Sequence, residues 1–465
     1  MTVSHVLLDD LPTLDDKLGW KGELDRMKHR VENCPTPHVL GIHGNWGSGK
    51  TSFMRQLQHK LGGETNEVGT VTGVGDEQAR ETNDQVVTVW FDAWRYQNES
   101  SPIVALLQEM RRQFSLMKMV REKFEKFSTV ALQYTLEGLT NIGKVIGFEA
   151  MPSTEKIQKF GEAWEALNYQ QLMQSDSIRN HLHSTIMALL PGGDGTRVVV
   201  FIDDLDRCNP KAAFKLLEGL KIYLNLRNCV FVLGMNENIL IDAIREEISA
   251  PSHSSTEEMY LRASHYLEKI CTDIYRLPLP TTGAEYFSKL LNIAEPGDRV
   301  AAFNLAVGNV ICLPPNPRRL KALANQWSRF AGCVPFPTDL EPQKIWAVRV
   351  LVASYIHQFH RDLWERWHFD MDFWGECIAW CSGERSNGVE GNDLSPKWAA
   401  ALKLTKRSQV GDDSAAPAWS VQYPNPGDID LFWIDGLIRE YRDHLLPIDF
   451  KPLLEGRQYN PEANV

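Results

Sequence analysis

The 465-residue sequence lacks several features that would assign it to large classes of protein. It contains no run of about 20 uninterrupted apolar residues, so we expect no transmembrane helix. The first residues, Met-Thr-Val-Ser-His-Val-Leu-Leu-Asp-Asp, have no basic stretch followed by a long apolar run, which predicts that no signal peptide is present. There is no internal repeat, and the last third shows no residue pattern typical of a nuclease, protease or glycosidase. A membrane-spanning or secreted protein is therefore not expected.

The sequence also has no excess of positive charge and no framework of closely paired cysteines. The formal net charge is −11, which argues against a protein that coats nucleic acid through a general basic surface. The eight cysteines are spread singly apart from Cys377 and Cys381, as in a reduced cytosolic protein. This pair has no second cysteine pair of zinc-site spacing, so we do not predict zinc. We expect a cytoplasmic protein for which nucleic acid is not the indicated partner.

The most informative feature that is present is the segment Gly-Asn-Trp-Gly-Ser-Gly-Lys-Thr at residues 44–51. It fits the phosphate-loop pattern, and it lies between a predicted strand at 38–43 and a predicted helix at 52–59. In such a loop the glycines let successive N–H groups point at phosphate oxygens, and the helix N-terminus adds positive potential. Lys50 can then reach the β- and γ-phosphates, and the Thr51 hydroxyl can bind Mg²⁺. The expected nucleotide-binding residues are Gly44, Asn45, Trp46, Gly47, Ser48, Gly49, Lys50, Thr51 and Ser52. A plain glycine turn with an exposed lysine is the alternative.

A pair of acids follows a second predicted strand. Five apolar residues, Val198 to Ile202, are typical of a parallel strand buried on both faces, and Asp203 and Asp204 come directly after them. An open α/β sheet keeps its ligand site at this end of its strands. We expect Asp203 to bind Mg²⁺ through water or the Thr51 hydroxyl, and Asp204 to polarise the attacking water. The alternative is that these acids and Asp206 cap a helix beginning near Pro210.

Strands near 38–43, 86–91, 198–203 and 229–235, with helices between them, predict an α/β fold with a doubly wound parallel sheet. Asn236 ends the last of these strands with a polar amide. It either contacts the γ-phosphate or the attacking water, or is a turn residue before a helix around 238–248.

With these segments in place, the chain resembles the KAP family of P-loop NTPases. The matching segments are Gly-Asn-Trp-Gly-Ser-Gly-Lys-Thr-Ser at 44–52, Phe-Asp-Ala-Trp-Arg-Tyr at 91–96, Phe-Ile-Asp-Asp-Leu-Asp-Arg-Cys at 201–208, Val-Leu-Gly-Met-Asn at 232–236, the stretch 266–280, and Asn-Pro-Arg-Arg-Leu-Lys at 316–321. The resemblance implies an ATP- and Mg²⁺-dependent P-loop NTPase of the AAA+/STAND-like branch, mostly bacterial and often encoded in mobile or defence gene clusters. The chain departs from the family in two ways. Many members carry transmembrane helices in an insertion that is too polar here, and many carry an aspartate where this chain has Asn236.

Three arginines are candidates for stabilising charge at the transferred phosphate, which can be worth ~10³-fold or more in rate. By resemblance, Arg318 and Arg319 are in the position of a sensing arginine on a lid helix; otherwise they are surface cations at a helix start. Arg207 either reaches a neighbouring subunit's nucleotide or forms a local salt bridge with Asp204 or Asp206.

The predicted organisation has five segments: the first part of the NTPase core (1–97), a helical insertion (98–196), the rest of the core (197–280), a helical lid-like subdomain (281–335) and a mostly helical, Trp-rich C-terminal domain (336–465). In the insertion, 128–148 is either a membrane-surface helix or part of a helical bundle that packs on a partner. The C-terminal tryptophans either form a core or stack on bases.

The expected function is an ATPase that switches conformation or assembly within a larger complex, and the resemblance implies a setting in bacterial antiviral defence. The expected partners are further copies of the chain or an effector protein. The alternatives are a nucleotide-gated scaffold with little turnover and a motor or loader stimulated by nucleic acid. Preference for ATP over GTP rests on the resemblance, because the sequence has no Asn-Lys-x-Asp motif that would read guanine.

Overall fold

In the computed structural model the described residues are 7–63, 85–99, 196–223, 227–248, 255–271, 273–279, 283–308, 310–369, 404–406, 419–421 and 432–455, with a few positions between 102 and 113. Most of the predicted insertion at 98–196 lies outside these residues. So do Cys377, Cys381 and three of the C-terminal tryptophans.

The chain divides into two compact units, each described separately below. The sheet unit comprises Leu11–Asn45 and Gly49–Leu277, and the helical unit comprises Met1–Asp10, Trp46–Ser48 and Pro278–Val465. The segments predicted as a lid (281–335) and a C-terminal domain (336–465) both fall in the helical unit.

The sheet unit is built on five parallel strands in the order β2-β3-β4-β1-β5. These strands are β1 (His38–His43), β2 (Val86–Asp92), β3 (Arg197–Asp203), β4 (Cys229–Met235) and β5 (Asp273–Arg276). Every residue of β4 and all but the first of β3 are buried, so both faces of the central sheet are covered. Their continuous apolar runs, rather than an alternating pattern, are what a parallel sheet covered on both faces requires.

The helices of the sheet unit follow or precede these strands, as parallel connections require. They are α1 (Lys21–Asn33), α2 (Lys50–Lys60), α3 (Pro210–Tyr223), α4 (Glu237–Glu247) and α5 (Thr256–Ile270), with single 3₁₀ turns at Trp94–Tyr96 and Leu205–Arg207. Asn236 and Ser255 begin α4 and α5 by accepting hydrogen bonds from backbone N–H groups of the first turn. Side-chain caps of this kind satisfy donors that a helix start leaves unpaired.

The helical unit contains a short antiparallel pair, β6 (Leu404–Lys406) and β7 (Trp419–Val421), and seven α-helices among its described residues. These helices are α6 (Ala284–Ala294), α7 (Gly297–Val307), α8 (Pro317–Ala331), α9 (Leu340–Phe359), α10 (Arg361–Phe369), α11 (Phe432–Glu440) and α12 (Lys451–Glu455). Two 3₁₀ turns, Arg442–His444 and Pro447–Phe450, lie before α12.

An aromatic core holds α6 to α9 together. The Trp327 ring is fully buried and meets Phe287, Phe303 and Trp346 edge-on, with centroid distances of 6.1, 5.6 and 5.9 Å. Trp367 is also fully buried. Among the described C-terminal tryptophans, Trp346 and Trp367 are therefore core residues.

The prediction of an α/β fold with a parallel sheet is confirmed. β5 is not among the strands that the sequence predicts. The large residues between Trp346 and Trp367 recur at helical spacing and predict one helix, whereas the structure has two, α9 and α10, which separate at His360. Among the helices of the described residues, none combines the length and apolarity that a membrane crossing needs.

Candidate functional site

The sheet order brings three chain segments to one edge. β4 lies between β1 and β3, and all three run parallel. Their carboxyl ends therefore share an edge, which is where open α/β sheets bind ligands. The glycine-rich segment follows β1, Asn236 follows β4, and Asp203 is the last residue of β3.

The segment after β1 folds as a loop that needs glycine at two positions. Gly47 and Gly49 have φ angles of 79° and 94°, a region that favours glycine. A Cβ on Gly49 would also lie 2.7 Å from the buried Trp20 ring. Gly44 N–H donates to Met235 O at 3.2 Å, which fixes the loop to β4. α2 begins at Lys50, and its N-cap residue is Gly49, so no side chain caps the first N–H groups of the helix. Uncapped N–H groups at a helix start favour anions.

The Lys50 ammonium is held at this edge. Its side chain is 8% exposed, and Nζ donates to Gly44 O at 2.9 Å and Asn45 O at 3.5 Å. It also forms an ion pair with Asp206 Oδ2 at 3.2 Å, and the Asp206 side chain is 4% exposed. A lysine folded back along its own loop lies where phosphates bound by the loop would meet it.

Thr51 and Asp203 lie together. The Thr51 hydroxyl hydrogen-bonds to the Asp203 carboxylate. Burial raises the pKa of Asp203, while this hydrogen bond and the nearby Lys50 charge oppose the rise. Asp203 Oδ1 is buried and has no hydrogen-bond partner among the described residues. A Cβ on Gly234 of β4 would lie 2.7 Å from this oxygen. The Asp203 carboxylate therefore fits beside β4 because residue 234 is a glycine.

These groups fit a magnesium ion held jointly with a nucleotide. An orphaned, buried carboxylate oxygen beside a threonine hydroxyl is a hard oxygen donor set. Among the described residues, no group of three or more His, Cys, Asp or Glu side chains is arranged to hold a metal. Mg²⁺ does not need such a cage, because it keeps several waters and takes further ligands from phosphates.

Asp204 adopts a left-handed conformation, with φ 56° and ψ 29°, at the start of the 3₁₀ turn. Its Oδ1 forms an ion pair with Arg207 Nε at 3.0 Å. Burial, and after it the charge of Asp203, raises the pKa of Asp204 to about 7, although Arg207 lowers it. A carboxyl that titrates near neutral pH is suited to accept a proton from water. Arg207 thus has the local salt bridge that was one of its two expected roles.

Asn236 has two contacts at the end of β4. Its Oδ1 accepts from Asn238 N–H at 3.1 Å and so caps α4, and its Nδ2 donates to Asn45 Oδ1 at 3.4 Å. Nearby, Glu237 N–H donates to His43 Nδ1 at 3.0 Å. Asn236 therefore begins a helix and also contacts the glycine-rich loop.

Within the helical unit, Asn316 and Arg318 contact loop residues. Asn316 Nδ2 donates to Trp46 O at 3.0 Å, and Arg318 N–H donates to Gly47 O at 3.3 Å. The Arg318 guanidinium is 5.2 Å from the centre of the Trp46 ring and pairs with Asp10 at 2.7 Å.

Arg319 and the two serines of the predicted nucleotide-binding set, Ser48 and Ser52, have different contacts. Arg319 stacks over the Phe359 ring at 5.6 Å, so the two adjacent arginines have different contacts. The Ser48 hydroxyl is buried and has no partner among the described residues, and the Ser52 hydroxyl accepts from Thr13 N–H at 3.2 Å.

Sequence reasoning did not give Asp206, Gly234 or Asn316 a role in the site. For Asp206 a signal existed, because it is the third acid of Asp-Asp-Leu-Asp. The pattern also permits Asp206 to cap the following helix, but in the structure Asn209 caps α3 by accepting from Ala212 N–H at 2.8 Å. Gly234 and Asn316 act through contacts between segments distant in sequence, which a single sequence does not reveal.

A comparison with curated proteins gives no match. The family model described as the KAP family P-loop domain matches residues 27–301, which is more than half of the chain. This range includes the glycine-rich loop, the acids after β3 and all five strands of the sheet. The chain therefore belongs to the KAP family and carries its P-loop NTPase domain.

Proposed function

We propose that this protein is a Mg²⁺-dependent ATPase that uses ATP binding and hydrolysis to switch conformation or assembly. The observation that carries the proposal is the joint placement of Lys50, Thr51 and Asp203. The Thr51 hydroxyl contacts the Asp203 carboxylate, the Lys50 charge acts on it, and Asp203 Oδ1 is left without a partner. A triphosphate and its metal need this combination of a cation, a hydroxyl and an acid.

In this proposal the loop N–H groups and the start of α2 bind the β- and γ-phosphates, and Lys50 neutralises their charge. Thr51 and Asp203 would hold Mg²⁺, and the ion would supply neutralisation of the phosphate charge. Asp204 orients the attacking water and accepts its proton, because its raised pKa keeps it basic near neutral pH. Asn236 holds Asn45, and with it the loop.

The two adjacent arginines, Arg318 and Arg319, have different roles in this proposal. The Arg318 backbone and guanidinium contact Gly47 and Trp46, whereas the Arg319 guanidinium lies over Phe359. We propose that Arg318 senses the nucleotide and that Arg319 contributes mainly to packing. Arg207 lowers the pKa of Asp204, against the larger effects of burial and Asp203, and holds its carboxylate through their ion pair.

Two substitutions test the proposal. Lys50→Ala is expected to lose tight ATP binding and turnover, because the phosphates lose their cation. Asp204→Asn is expected to keep ATP binding and to lose turnover by ~10²-fold or more, because the amide cannot accept a proton. Binding is measured by calorimetry with Mg²⁺ and ATP, and turnover by phosphate release.

Lys60→Ala is the matched control for Lys50→Ala. Lys60 is in the same helix, and its ammonium pairs with Asp25 at 2.5 Å. This variant should bind and turn over ATP as the parent does. If Lys50→Ala binds ATP with the parental affinity, the phosphate-loop assignment is wrong; parental turnover in Asp204→Asn would remove Asp204 as the base.

A second candidate function is a nucleotide-gated scaffold with little turnover of its own. The observation that favours it is that Lys50 and Asp204 are both engaged by side chains of opposite charge, Asp206 and Arg207. Phosphate release measured with and without candidate partner proteins separates the two functions. The family resemblance leads us to propose an antiviral or mobile-element setting, in which further copies of the chain or an effector protein are the partners. We also propose a cytoplasmic location, because the singly spread cysteines are typical of a reduced protein.

A further inference from the structure

All the hydrogen-bonding capacity of the Lys50 ammonium is directed at protein atoms. An ammonium group has three N–H donors. The acceptors around Nζ are Gly44 O at 2.9 Å, Asp206 Oδ2 at 3.2 Å and Asn45 O at 3.5 Å. A phosphate oxygen can therefore bind Lys50 only if one of these contacts is given up.

The three acceptors differ in how readily they can be released. The Gly44 and Asn45 carbonyls belong to the loop backbone, which is tied to β4 through Gly44 N–H and Met235 O. The Asp206 carboxylate is on a side chain with rotatable bonds. The carboxylate is also an anion, so a phosphate can take its place as the negative charge beside Lys50. The Gly44 and Asn45 carbonyls are neutral dipoles, and a phosphate does not replace them in the same way.

The backbone around Asp206 is fixed. Leu205 is fully buried in the core of the sheet unit, and Arg207 N–H donates to Asp204 O at 3.1 Å. Release of Lys50 thus requires a rotation of the Asp206 side chain rather than movement of the whole turn. The released carboxylate stays close to Asp203 and Asp204, where like charges oppose it. Burial is the main cause of the raised pKa of those two acids, and the Asp206 charge adds to it.

We propose that Asp206 is a positioning residue that occupies Lys50 in the nucleotide-free protein and competes with the nucleotide phosphates for it. This inference rests on the proposed function, because it assumes that Lys50 binds phosphate. The competition lowers the affinity for nucleotide, since part of the binding energy is used to displace the carboxylate. The protein then binds only ligands with enough phosphate charge to replace Asp206, which discriminates against nucleosides and short phosphate chains.

The test is Asp206→Asn, which keeps the size of the side chain and removes its charge. Without the competitor, the dissociation constants for Mg²⁺–ATP and for inorganic triphosphate should fall by on the order of tenfold or more, because the buried Lys50 charge has lost its partner. Any weak binding of adenosine should not change. Asp206→Ser is a second variant that removes the same charge and should act in the same direction.

Glu295→Gln is the matched control. The Glu295 side chain is 1% exposed and pairs with Arg299 at 2.8 Å, so it is a buried, ion-paired acid like Asp206. Its loss should leave the dissociation constants unchanged. Thermal unfolding without ligand, measured for every variant, confirms that each is folded.

The outcomes separate the inference from the function on which it rests. If the parent binds triphosphate and Asp206→Asn binds it equally or more weakly, Asp206 does not compete with phosphate for Lys50 and the inference is wrong. If neither the parent nor the variants bind triphosphate, the proposed function itself fails. Equal gains for adenosine and triphosphate would indicate a general change in the site and would also overturn the competition.

Discussion

In the proposed mechanism, the ionisation of the Asp204 carboxyl governs turnover. Its pKa is raised to about 7, first by burial and then by the charge of Asp203. Only the deprotonated form can accept a proton from water. Activity that depends on this group must therefore increase as the pH rises through about 7 and be constant above it.

This predicts the pH dependence of kcat/KM for ATP. The profile should have a rising limb near pH 7, and Arg207→Gln should move that limb to higher pH, because Arg207 lowers the pKa of Asp204. Phosphate release measured from pH 5 to 9 at constant ionic strength checks both expectations. A limb near pH 4, the ordinary range of an aspartate, would show that Asp204 is not the titrating base. A limb that Arg207→Gln leaves in place would contradict the role of their ion pair.

At the scale of single elements, the start of α8 is held by Asn316. The Asn316 Oδ1 atom accepts from Arg319 N–H at 3.3 Å, and the amide nitrogen donates to Trp46 O. The same side chain therefore caps a helix and holds a loop residue. The two roles can be separated, because an aspartate can accept hydrogen bonds as a cap but cannot donate one.

We predict that Asn316→Ala lowers the stability of the helical unit by roughly 1 kcal/mol and that Asn316→Asp lowers it by less. The carboxylate keeps the cap and is favoured near the positive end of the helix. Thermal unfolding of both variants beside the parent provides the measurement. Equal losses in the two variants would mean that the contact with Trp46, and not the cap, provides the stabilisation.

The strands differ in how well their bounds can be predicted from the sequence. β1, β3 and β4 could be predicted within one residue, because continuous apolar runs bounded by polar residues are typical of buried parallel strands. β5 could not, because four residues, Asp-Ile-Tyr-Arg, carry no pattern of their own and are a strand only through pairing with β1. The break at His360 has no proline or glycine to mark it.

The same distinction holds in the candidate site. The loop at 44–51 and the acids after β3 follow local patterns that place them at the ends of strands. The ion pair of Lys50 with Asp206 joins residues 156 positions apart, and a local pattern contains no information about it. The room that Gly234 leaves for Asp203 depends likewise on the pairing of β3 with β4.

At the scale of the whole molecule, each compact unit has its own core. In the sheet unit, the core includes the buried faces of β2, β3 and β4 with α3, α4 and α5. In the helical unit, Trp327 of α8 contacts aromatic rings from α6, α7 and α9. Separate cores favour local opening of one unit without loss of the other.

Trp327→Ala tests whether the two cores open separately. Removing a fully buried tryptophan should cost about 3–5 kcal/mol through lost burial and the cavity left behind. Amide hydrogen exchange in α6, α7, α8 and α9 should become faster, while β1, β3 and β4 keep their protection. Trp94→Ala is the control, because that side chain is 48% exposed and its loss should change stability by no more than about 0.5 kcal/mol. If Trp327→Ala speeds exchange equally in the strands and in the helices, the chain opens as one cooperative unit. The stability of the sheet core would then be coupled to that of the helical core.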